Sequence, residues 1–394
     1  MSKIEWTQET WNPIVGCSIV SPGCTNCYAM KMAARLEALC VSSGRAFEDD
    51  NYPSQRDPHP TAHYRGTVQE TKAGPVWTGK VALAPDSAFL KPLKRKKPTT
   101  YFVNSMGDLF HEDIPDSWID KVSAVMALCP QHTFQVLTKR SARMREYFED
   151  KDDRGMQIGC ALGDMLDGDW IWKDGKQFRQ QIDGMISLAH GHAPNDINRA
   201  LEEFLPLPNV WLGVSAEDQT RADERIPDLL ATPAAIRFVS CEPLLGMVDI
   251  CNLQPRGQLT HDALREYAIF NGETGPALDW VIAGGESGHD ARPMHPDWAR
   301  SLRDQCAAAD VPFFFKQWGI FEDVGPAWGT AAPGTDELNG CVFVGRNGWV
   351  AKEHDQAPQF AQAMMRVGKK HAGRMLDGRT HDAMPETRAS EDAA

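Results

Sequence analysis

The sequence predicts an α/β fold, a partial or complete (β/α) barrel with insertions, and three observations lead to this prediction. From about residue 78 onward, short β-prone runs alternate with helical patterns. The runs are almost continuously apolar, as expected of parallel strands that are buried on both faces. About seven such runs occur, which fits a partial or complete barrel of strands covered by helices.

The predicted strands are VALA (81–84), TYFVNS (100–105), TFQVLT (133–138), VWLGVS (210–215), IRFVS (236–240), WVIAGG (280–285) and PFFFK (312–316). Several of them lead through a polar or glycine-containing turn into a helical pattern. The clearest helical patterns are DSWIDKVSAVMAL (116–128) and PDWARSLRDQCAAA (296–309).

Polar side chains directly after each strand are candidate site residues, because barrel enzymes place their chemistry at the C-terminal ends of the strands. Each of them has an alternative role as a cap of the following helix. It is their repetition at one end of the predicted barrel that favours a site. They are Asn104, Ser105, Asp108, Thr138, Lys139, Ser215, Glu217, Ser240, Glu242, Glu286, Ser287, Lys316 and Gln317.

The domain organisation predicted from these patterns is a barrel core over residues 1–320 with insertions at about 147–208 and 252–278. The first insertion carries one modest helical pattern, NRALEEFL (198–205). A C-terminal extension follows at 321–380, with a hairpin over GCVFVGRNGWVAK (340–352) that turns at Arg346-Asn347-Gly348. The tail at 381–394 is predicted to be disordered.

Charge and composition limit the classes of function. A net charge of −13 at pH 7 argues against a protein whose whole surface attracts nucleic acid, although a local basic groove stays open. The sequence has neither a run of about 20 apolar residues nor a signal peptide, so we expect a cytoplasmic protein with no membrane partner. Thiols stay reduced in that compartment, so a close group of cysteines indicates a metal rather than disulfides.

Such a group occurs in WNPIVGCSIVSPGCTNCYAMKMAARLE, where Cys17, Cys24 and Cys27 form a C-x6-C-x2-C motif before a helical pattern. Three thiolates can bind three irons of a [4Fe–4S] cube and leave the fourth iron open. Reductive cleavage of S-adenosylmethionine (SAM) needs an open iron, because the amino and carboxylate groups of SAM chelate it. The motif therefore predicts a [4Fe–4S] cluster and SAM as cofactors.

A zinc-stabilised, non-catalytic nucleic-acid-binding protein is the alternative, since C-x2-C is also typical of zinc sites. A fourth ligand would then come from His59, His63 or Cys40. Zinc ribbons usually present a second cysteine pair of similar spacing, and the remaining cysteines form none. Those cysteines fit better as small buried hydrophobic residues, with Cys241 at a strand end as the one to examine for a site role.

The segment NPIVGC…GCTNCYA resembles the cluster loop of radical SAM proteins of the spore-photoproduct-lyase-like branch, where an aromatic residue and alanine follow a cysteine triplet. The chain is more closely similar to a phage-associated, radical-SAM-like family of unassigned activity, and this similarity spans nearly the whole chain. The further motifs that carry it are FVNSMGDLFHEDIP, QVLTKRSARM, WLGVSAEDQ, FVSCEPLLG, VIAGGESGHDARPM, FFFKQWG and GKKHAGRMLDGR.

Two features depart from the radical SAM pattern. The usual spacing is C-x3-C-x2-C, so the loop between Cys17 and Cys24 is three residues longer here. Asn26 stands where an aromatic residue often contacts the adenine, and Tyr28 is a partial replacement.

The resemblance implies a radical SAM barrel that binds SAM and receives electrons from an external donor. It places the SAM ammonium near Ser105 and Asp108. We expect Ser215 and Glu217 to reach the ribose. Lys139 and Lys316 would bind the SAM carboxylate or an anionic substrate, unless they only extend to the rim. Glu286, in GGESG, would contact SAM or substrate, and a tight turn is the alternative. The candidate catalytic residues are Glu242, Glu286 and Lys316.

The reaction type stays open among isomerase, lyase and base modification. The resemblance points to a thymine-derived base in phage DNA, or a modified nucleoside, and to the host cytoplasm as the location if a phage encodes the protein. Three basic runs would allow contact with DNA, although such runs are usually solvated faces. They are KPLKRKK (91–97), TKRSARMR (138–145) and GKKHAGR (368–374).

Overall fold

A computed structural model describes residues 4–42, 59–167, 205–255, 261–265, 267–268, 274–334 and 336–386. The chain divides into two compact units. The first comprises residues 1–20, 27–212 and 232–235, and the second comprises residues 21–26, 213–231 and 236–394. The helix predicted at 198–205 lies almost entirely outside the described residues.

In chain order, the strands of the described residues are β1 Glu9–Trp11, β2 Ile14–Val15, β3 Val68–Thr71, β4 Gly74–Trp77, β5 Ala82–Leu83, β6 Thr100–Val103, β7 Thr133–Thr138, β8 Val210–Ser215, β9 Ile236–Cys241, β10 Tyr267–Ala268, β11 Thr274–Gly275, β12 Trp280–Gly284, β13 Phe313–Gln317, β14 Phe321–Pro326, β15 Cys341–Val344, β16 Val350–Ala351 and β17 Gln362–Arg366.

Seven strands of the described chain form one sheet in the order β1-β6-β7-β8-β9-β12-β13. The pairs β1–β6, β6–β7, β9–β12 and β12–β13 are parallel. The strands follow one another in chain order, as in successive β/α repeats. The predicted α/β class is confirmed, and the sheet is compatible with a partial (β/α) barrel, whereas a barrel of the radical SAM type stays a prediction.

The sheet forms where the sequence is continuously apolar. Every residue of β8 and every residue of β12 is buried, so both faces of these strands are covered. In the second unit, β8 and β9 approach each other closely at Gly213. A Cβ there would lie 2.5 Å from the Phe238 ring, so no larger residue fits.

The helices of the described residues are α1 Tyr28–Ser42, α2 Asp86–Phe89, α3 Asp116–Ala127, α4 Ser141–Tyr147, α5 Lys151–Asp167, α6 Gln219–Ala231, α7 Pro296–Ala308 and α8 Lys369–Ala372. The ends of α7 follow sequence signals. Its first residue is a proline, and His295 Nδ1 caps it by accepting a hydrogen bond from the Asp297 backbone N–H at 3.0 Å.

The predicted position of the first strand of the sheet is wrong. Of VALA (81–84), only Ala82–Leu83 is extended, and it pairs antiparallel with β2 outside the main sheet. The first strand of the sheet is instead Glu9–Trp11, upstream of the cysteines. Three residues are too short to show a strand pattern in the sequence.

The insertion predicted at 147–208 contains a helix that its sequence conceals. Residues Lys151–Asp167 form α5, whose glycines and charges hide the helical pattern. Its buried side chains include Ile158, Leu162 and Met165, which recur every three or four residues and so lie on one face.

The prediction that the tail is disordered from residue 381 onward is wrong for its first residues. The carbonyl of His381 accepts a hydrogen bond from the Phe315 backbone N–H at 2.9 Å. The carbonyl of Ala383 accepts one from Trp280 Nε1 at 2.9 Å. Both bonds tie this segment to β12 and β13, and residues 387–394 lie outside the described part.

The C-terminal extension contains a second sheet in the order β14-β17-β15-β16. Its hairpin is confirmed, because β15 and β16 pair antiparallel through Phe343↔Ala351 and Val344↔Val350. Among the described helices, none has both the length and the apolar character needed to cross a bilayer.

Candidate functional site

The cysteine segment begins where β2 ends. Gly16 follows β2 with a φ angle of 95°, and a Cβ there would lie 2.0 Å from the Lys80 carbonyl oxygen. Only glycine suits both this backbone angle and this contact. The turn into Cys17 is therefore built into the sequence.

In the first unit, Cys17 and Cys27 pack against one hydrophobic core. Both are half-buried and form no disulfide bond. The core includes Val15, Met30 and Trp77, which come from β2, α1 and β4. This packing holds both ends of the cysteine segment on the same apolar surface.

Asp108, the residue expected to bind the SAM ammonium, is buried between the segment after β6 and the end of β7. Its Oδ1 accepts hydrogen bonds from Thr138 Oγ1 at 2.7 Å and the Phe110 backbone N–H at 3.1 Å. Its Oδ2 accepts from the Lys139 backbone N–H and from Arg140 Nη1, both at 3.0 Å. Four protein donors thus occupy this carboxylate, and SAM binding by Asp108 stays a prediction.

Two other predicted SAM contacts lie together. The Tyr28 hydroxyl, at the start of α1, donates to the Ser105 carbonyl at 2.9 Å. The Ser105 hydroxyl donates to Asn12 Oδ1 at 3.1 Å, and Asn12 Oδ1 also accepts from the Met106 backbone N–H at 3.1 Å. The first helix after the cysteines is therefore tied to the end of β6.

In the second unit, Cys24 lies in a short 3-10 turn, Pro22–Cys24, and is buried. Its sulfur is 3.8 Å from Ser21 Oγ. The preceding residue, Gly23, donates its backbone N–H to Glu217 Oε1 at 3.2 Å. A carboxylate from the end of β8 therefore holds this turn.

Glu217 has a second partner, and its side chain has no exposed surface. Its Oε2 accepts from Arg225 Nη1 at 3.1 Å, and the same nitrogen donates to the Ser215 carbonyl at 2.9 Å. Contact of Ser215 and Glu217 with the ribose stays a prediction. In the structure, Glu217 and Arg225 form a buried ion pair that supports the Cys24 turn, and the Ser215 carbonyl accepts a hydrogen bond from Arg225.

Glu286 also holds the Cys24 turn. Its carboxylate accepts from Arg292 through Nε at 2.9 Å and Nη2 at 2.7 Å, and from Asn26 Nδ2 at 3.0 Å. Arg292 Nη2 donates further to the Pro22 carbonyl at 3.0 Å. The Glu286–Arg292 ion pair thus binds Pro22 of the turn and Asn26 just after it, and a role of Glu286 toward SAM or substrate stays a prediction.

The pKa of Glu286 reflects this pairing. Burial raises the pKa, but hydrogen bonds from Arg292 and Asn26 outweigh burial and leave it below the usual value. A carboxyl whose pKa falls on folding stabilises the protein above its unfolded pKa of about 4.3. This stabilisation is lost as the pH falls through the pKa that Glu286 has in the folded protein.

Replacing Glu286 by glutamine should lower the free energy of unfolding at pH 7 by roughly 1–3 kcal/mol, since hydrogen bonds to a charged group are lost. Urea unfolding of the two proteins should show a difference that is constant above about pH 6 and shrinks below about pH 4. A difference as large at pH 3.5 as at pH 7 would contradict the role of this ion pair.

The candidate catalytic pair Glu242 and Lys316 is brought together in the second unit. Lys316 Nζ lies 3.2 Å from both carboxylate oxygens of Glu242, and both side chains are partly accessible. Ser240 Oγ is 3.4 Å from Glu242 Oε2. The arrangement offers a cation, a carboxylate and a hydroxyl at the ends of β9 and β13.

The glycine pair of GGESG has a packing role here. A Cβ on Gly284 would lie 2.5 Å from Glu242 Oε1, and one on Gly285 would lie 2.1 Å from the Trp318 carbonyl oxygen. Both glycines leave room for groups from neighbouring strand ends. This contact accounts for the motif without a ligand.

The basic runs differ in how much charge they present. In KPLKRKK, Lys91 and Arg95 pair with Glu9 of β1, whereas the other three lysines are exposed. In TKRSARMR, Arg140 is buried and Arg143 pairs with Asp116. In GKKHAGR (368–374), the exposed basic side chains are Lys369, Lys370 and His371.

The other cysteines of the sequence analysis lie apart from these contacts. Burial raises the pKa of Cys129 and Cys306 to about 12, which keeps both thiols protonated. Cys241 is fully buried in β9. These three residues fit the small, buried hydrophobic role predicted for the cysteines outside the motif, whereas that prediction is wrong for Cys160, which is exposed.

The proposed fourth zinc ligands have other surroundings. Cys40 is buried in α1, and His59 Nδ1 lies 2.8 Å from Thr61 Oγ1. Burial lowers the pKa of His63 to about 4, and its ring packs on Tyr64. Among the residues that the structure describes, Cys17, Cys24 and Cys27 included, no group of three or more His, Cys, Asp or Glu side chains is arranged to hold a metal ion.

Three arginines of these networks were not predicted from the sequence: Arg140, Arg225 and Arg292. Arg140 and Arg292 lie inside the motifs QVLTKRSARM and VIAGGESGHDARPM. Their place in these motifs was the one feature of the sequence that could have marked them as site residues. Arg225 lies within the charged helix α6, and nothing in its sequence surroundings marks it.

Comparison with known proteins gives one family. Residues 1–385 match the model of a family described as "Protein of unknown function (DUF5131)". The matched range includes the cysteine motif and every strand-end residue named above. No curated protein and no solved structure matches the chain.

Proposed function

The chain belongs to the family described as protein of unknown function (DUF5131), and from its own residues we propose that it is a radical SAM enzyme. It would reductively cleave SAM at a [4Fe–4S] cluster held by Cys17, Cys24 and Cys27. The observation that carries this proposal is the C-x6-C-x2-C segment placed between β2 and α1, after the first strand of a parallel sheet. The proposal is further supported by the packing of Cys17 and Cys27 on one core and by the hydrogen bond from Gly23 to Glu217 that holds the Cys24 turn.

The chemistry of the donor set fits such a cluster. None of the three cysteines forms a disulfide bond, and a buried guanidinium lies beside Cys17, which favours the ligating thiolate. In a cube each cysteine binds a separate iron, and three cysteines leave one iron for SAM. When bound, the cluster would supply the single electron that cleaves the SAM sulfonium and yields a deoxyadenosyl radical.

Residues of the chain would orient SAM and substrate. Ser105 and Tyr28 would contact SAM close to the start of α1, and the Lys139 ammonium would bind a carboxylate. Asp108 and Glu217 support the cysteine segment through Arg140 and Gly23. These carboxylates would thus act on SAM indirectly, through the position of the thiols.

Lys316 and Glu242 are the best candidates to handle the substrate. An anionic substrate group could replace Glu242 as the partner of Lys316, because both side chains are partly accessible. Glu242 would then be free to accept or return a proton. Substrate orientation of this kind suits a reaction in which the radical must meet one particular carbon.

The substrate class we propose is a thymine-derived base in DNA, as the resemblance to the phage-associated family implies. The exposed lysines 94, 96 and 97 support contact with phosphates. A base inside a duplex would have to be unstacked, at a cost of a few kcal/mol, so single-stranded DNA should bind and react more readily.

Binding of single-stranded DNA should weaken steeply with salt and should depend on Lys94, Lys96 and Lys97. Each phosphate contact contributes about 0.7 log units of affinity per log unit of salt on a single strand. Replacing all three lysines by alanine should therefore reduce the salt slope by as much as about 2. Fluorescence anisotropy at several salt concentrations measures this slope.

Lys352→Ala, a change of one exposed lysine outside the basic runs, is the matched control and should leave the slope unchanged. If the unaltered protein does not bind DNA at low salt, the substrate is a free nucleoside or another small molecule.

Anaerobic reconstitution with iron and sulfide tests the cofactor. The proposal predicts a brown protein with about four irons and four sulfides per chain, as a [4Fe–4S] cluster requires. Purification of a colourless protein that holds zinc and takes up no iron would instead support the zinc-stabilised nucleic-acid-binding alternative.

A further inference from the structure

The Arg140 side chain bonds to several groups near the cysteine motif. It follows β7, and its side chain is 5% exposed. Its Nε donates to Glu112 Oε2 at 2.8 Å, its Nη1 to Asp108 Oδ2 at 3.0 Å, and its Nη2 to Ser18 Oγ at 2.7 Å. Nη1 also points to Cys17 Sγ at 3.7 Å. One guanidinium thus joins two carboxylates to the first residues of the cysteine motif.

The charge of this guanidinium is permanent. Burial alone would lower the pKa of Arg140, but Asp108 foremost, and also Cys17 and Glu112, raise it above its ordinary value. Arginine holds its planar fork in one orientation when two of its sides are bound to carboxylates. Asp108 and Glu112 therefore aim Nη1 and Nη2 at Cys17 and Ser18.

A cation that donates to a ligating sulfur acts on redox chemistry. Hydrogen bonds to the sulfurs and the local charge are two of the factors that set the reduction potential of an iron–sulfur cluster. A reduced cluster carries one more negative charge than its oxidised form. A nearby positive charge stabilises the reduced form more than the oxidised form.

We propose that Arg140 raises the reduction potential of the cluster by donating a hydrogen bond to the sulfur of Cys17, an inference that rests on the proposed function. Arg140 is a positioning residue in this account, and it touches neither SAM nor substrate. Asp108 then has a defined task, which is to hold Arg140 against the cysteine segment.

The test compares midpoint potentials of the reconstituted protein with those of Arg140→Gln and Arg140→Lys, from a redox titration followed by electron paramagnetic resonance. Arg140→Gln should shift the potential to a more negative value. Arg140→Lys keeps a charge but loses the fork, so its shift should be smaller. Arg143→Gln, three residues further along the chain in α4 and paired with Asp116, is the matched control and should not shift the potential.

Resonance Raman spectra give a second measurement that needs no titration. Loss of the hydrogen bond should change the iron–cysteine stretching bands in Arg140→Gln and in Arg140→Lys, but not in Arg143→Gln. If Arg140→Gln does not fold, the midpoint potential and the Raman spectrum of the Arg140→Lys protein test the inference on their own.

Each outcome bears on the inference. Unchanged potentials and spectra in variants that contain the full cluster would overturn the role of Arg140 and leave the proposed function standing. Loss of iron from folded Arg140→Lys would show that Arg140 retains the cluster rather than tunes it, and would also overturn the inference. Failure of the unaltered protein to bind a cluster would overturn the proposed function, and the inference with it.

Discussion

Replacing Cys17, Cys24 or Cys27 by alanine is expected to abolish binding of the [4Fe–4S] cluster. Three cysteines bind three irons, and a cube with one open iron has no spare protein ligand. Iron and sulfide analysis after anaerobic reconstitution measures the effect. Each of the three variants should lose the brown colour and nearly all of the iron.

Controls for this experiment come from the other cysteines. Cys129→Ala and Cys306→Ala should keep the full iron content, since burial keeps these thiols protonated. Because both are core residues, Cys160→Ala adds a control at an exposed position of α5. Full iron content in Cys24→Ala protein would refute the ligand assignment.

Replacing Glu217 by alanine is expected to lower the free energy of unfolding by about 3–5 kcal/mol, the usual cost of leaving one partner of a buried ion pair alone. The Glu217 side chain is fully buried, and Arg225, at 4% exposed, would lose its carboxylate. Gly23 would lose its acceptor as well, so the Cys24 turn should loosen. Urea unfolding of the protein without iron measures the stability.

The matched control for Glu217 is Glu224→Ala on the exposed face of α6, which should change stability by no more than about 0.5 kcal/mol. The double variant Glu217→Leu, Arg225→Leu should recover part of the loss, since no charge is left buried alone. Stability of Glu217→Ala within about 0.5 kcal/mol of the unaltered protein would show that this pair does not support the fold.

Much of the fold could be predicted from the sequence, because its central strands are uninterrupted apolar runs. The predicted bounds of TFQVLT and VWLGVS agree with β7 and β8 residue for residue. The prediction failed where the pattern is short or mixed. Strand β1 has three residues, and α5 carries its apolar side chains among glycines and charges.

Less of the candidate site could be predicted. Strand-end positions such as Asp108 and Glu217 were found because parallel strands end at one edge of a sheet. Their partners were not found, because these contacts join distant parts of the chain. Arg140 and Cys17 are 123 positions apart, and Gly23 and Glu217 are 194 apart. No local pattern in a sequence reports such pairs.

The measurement that tests the central proposal most directly is a search for 5′-deoxyadenosine by liquid chromatography after anaerobic incubation of the reconstituted protein with SAM and a strong reductant. The proposal predicts that deoxyadenosine and methionine form in equal amounts, and that Cys24→Ala protein forms neither. Intact cluster, bound SAM and no deoxyadenosine above the Cys24→Ala background would contradict the assignment of this chain as a radical SAM enzyme.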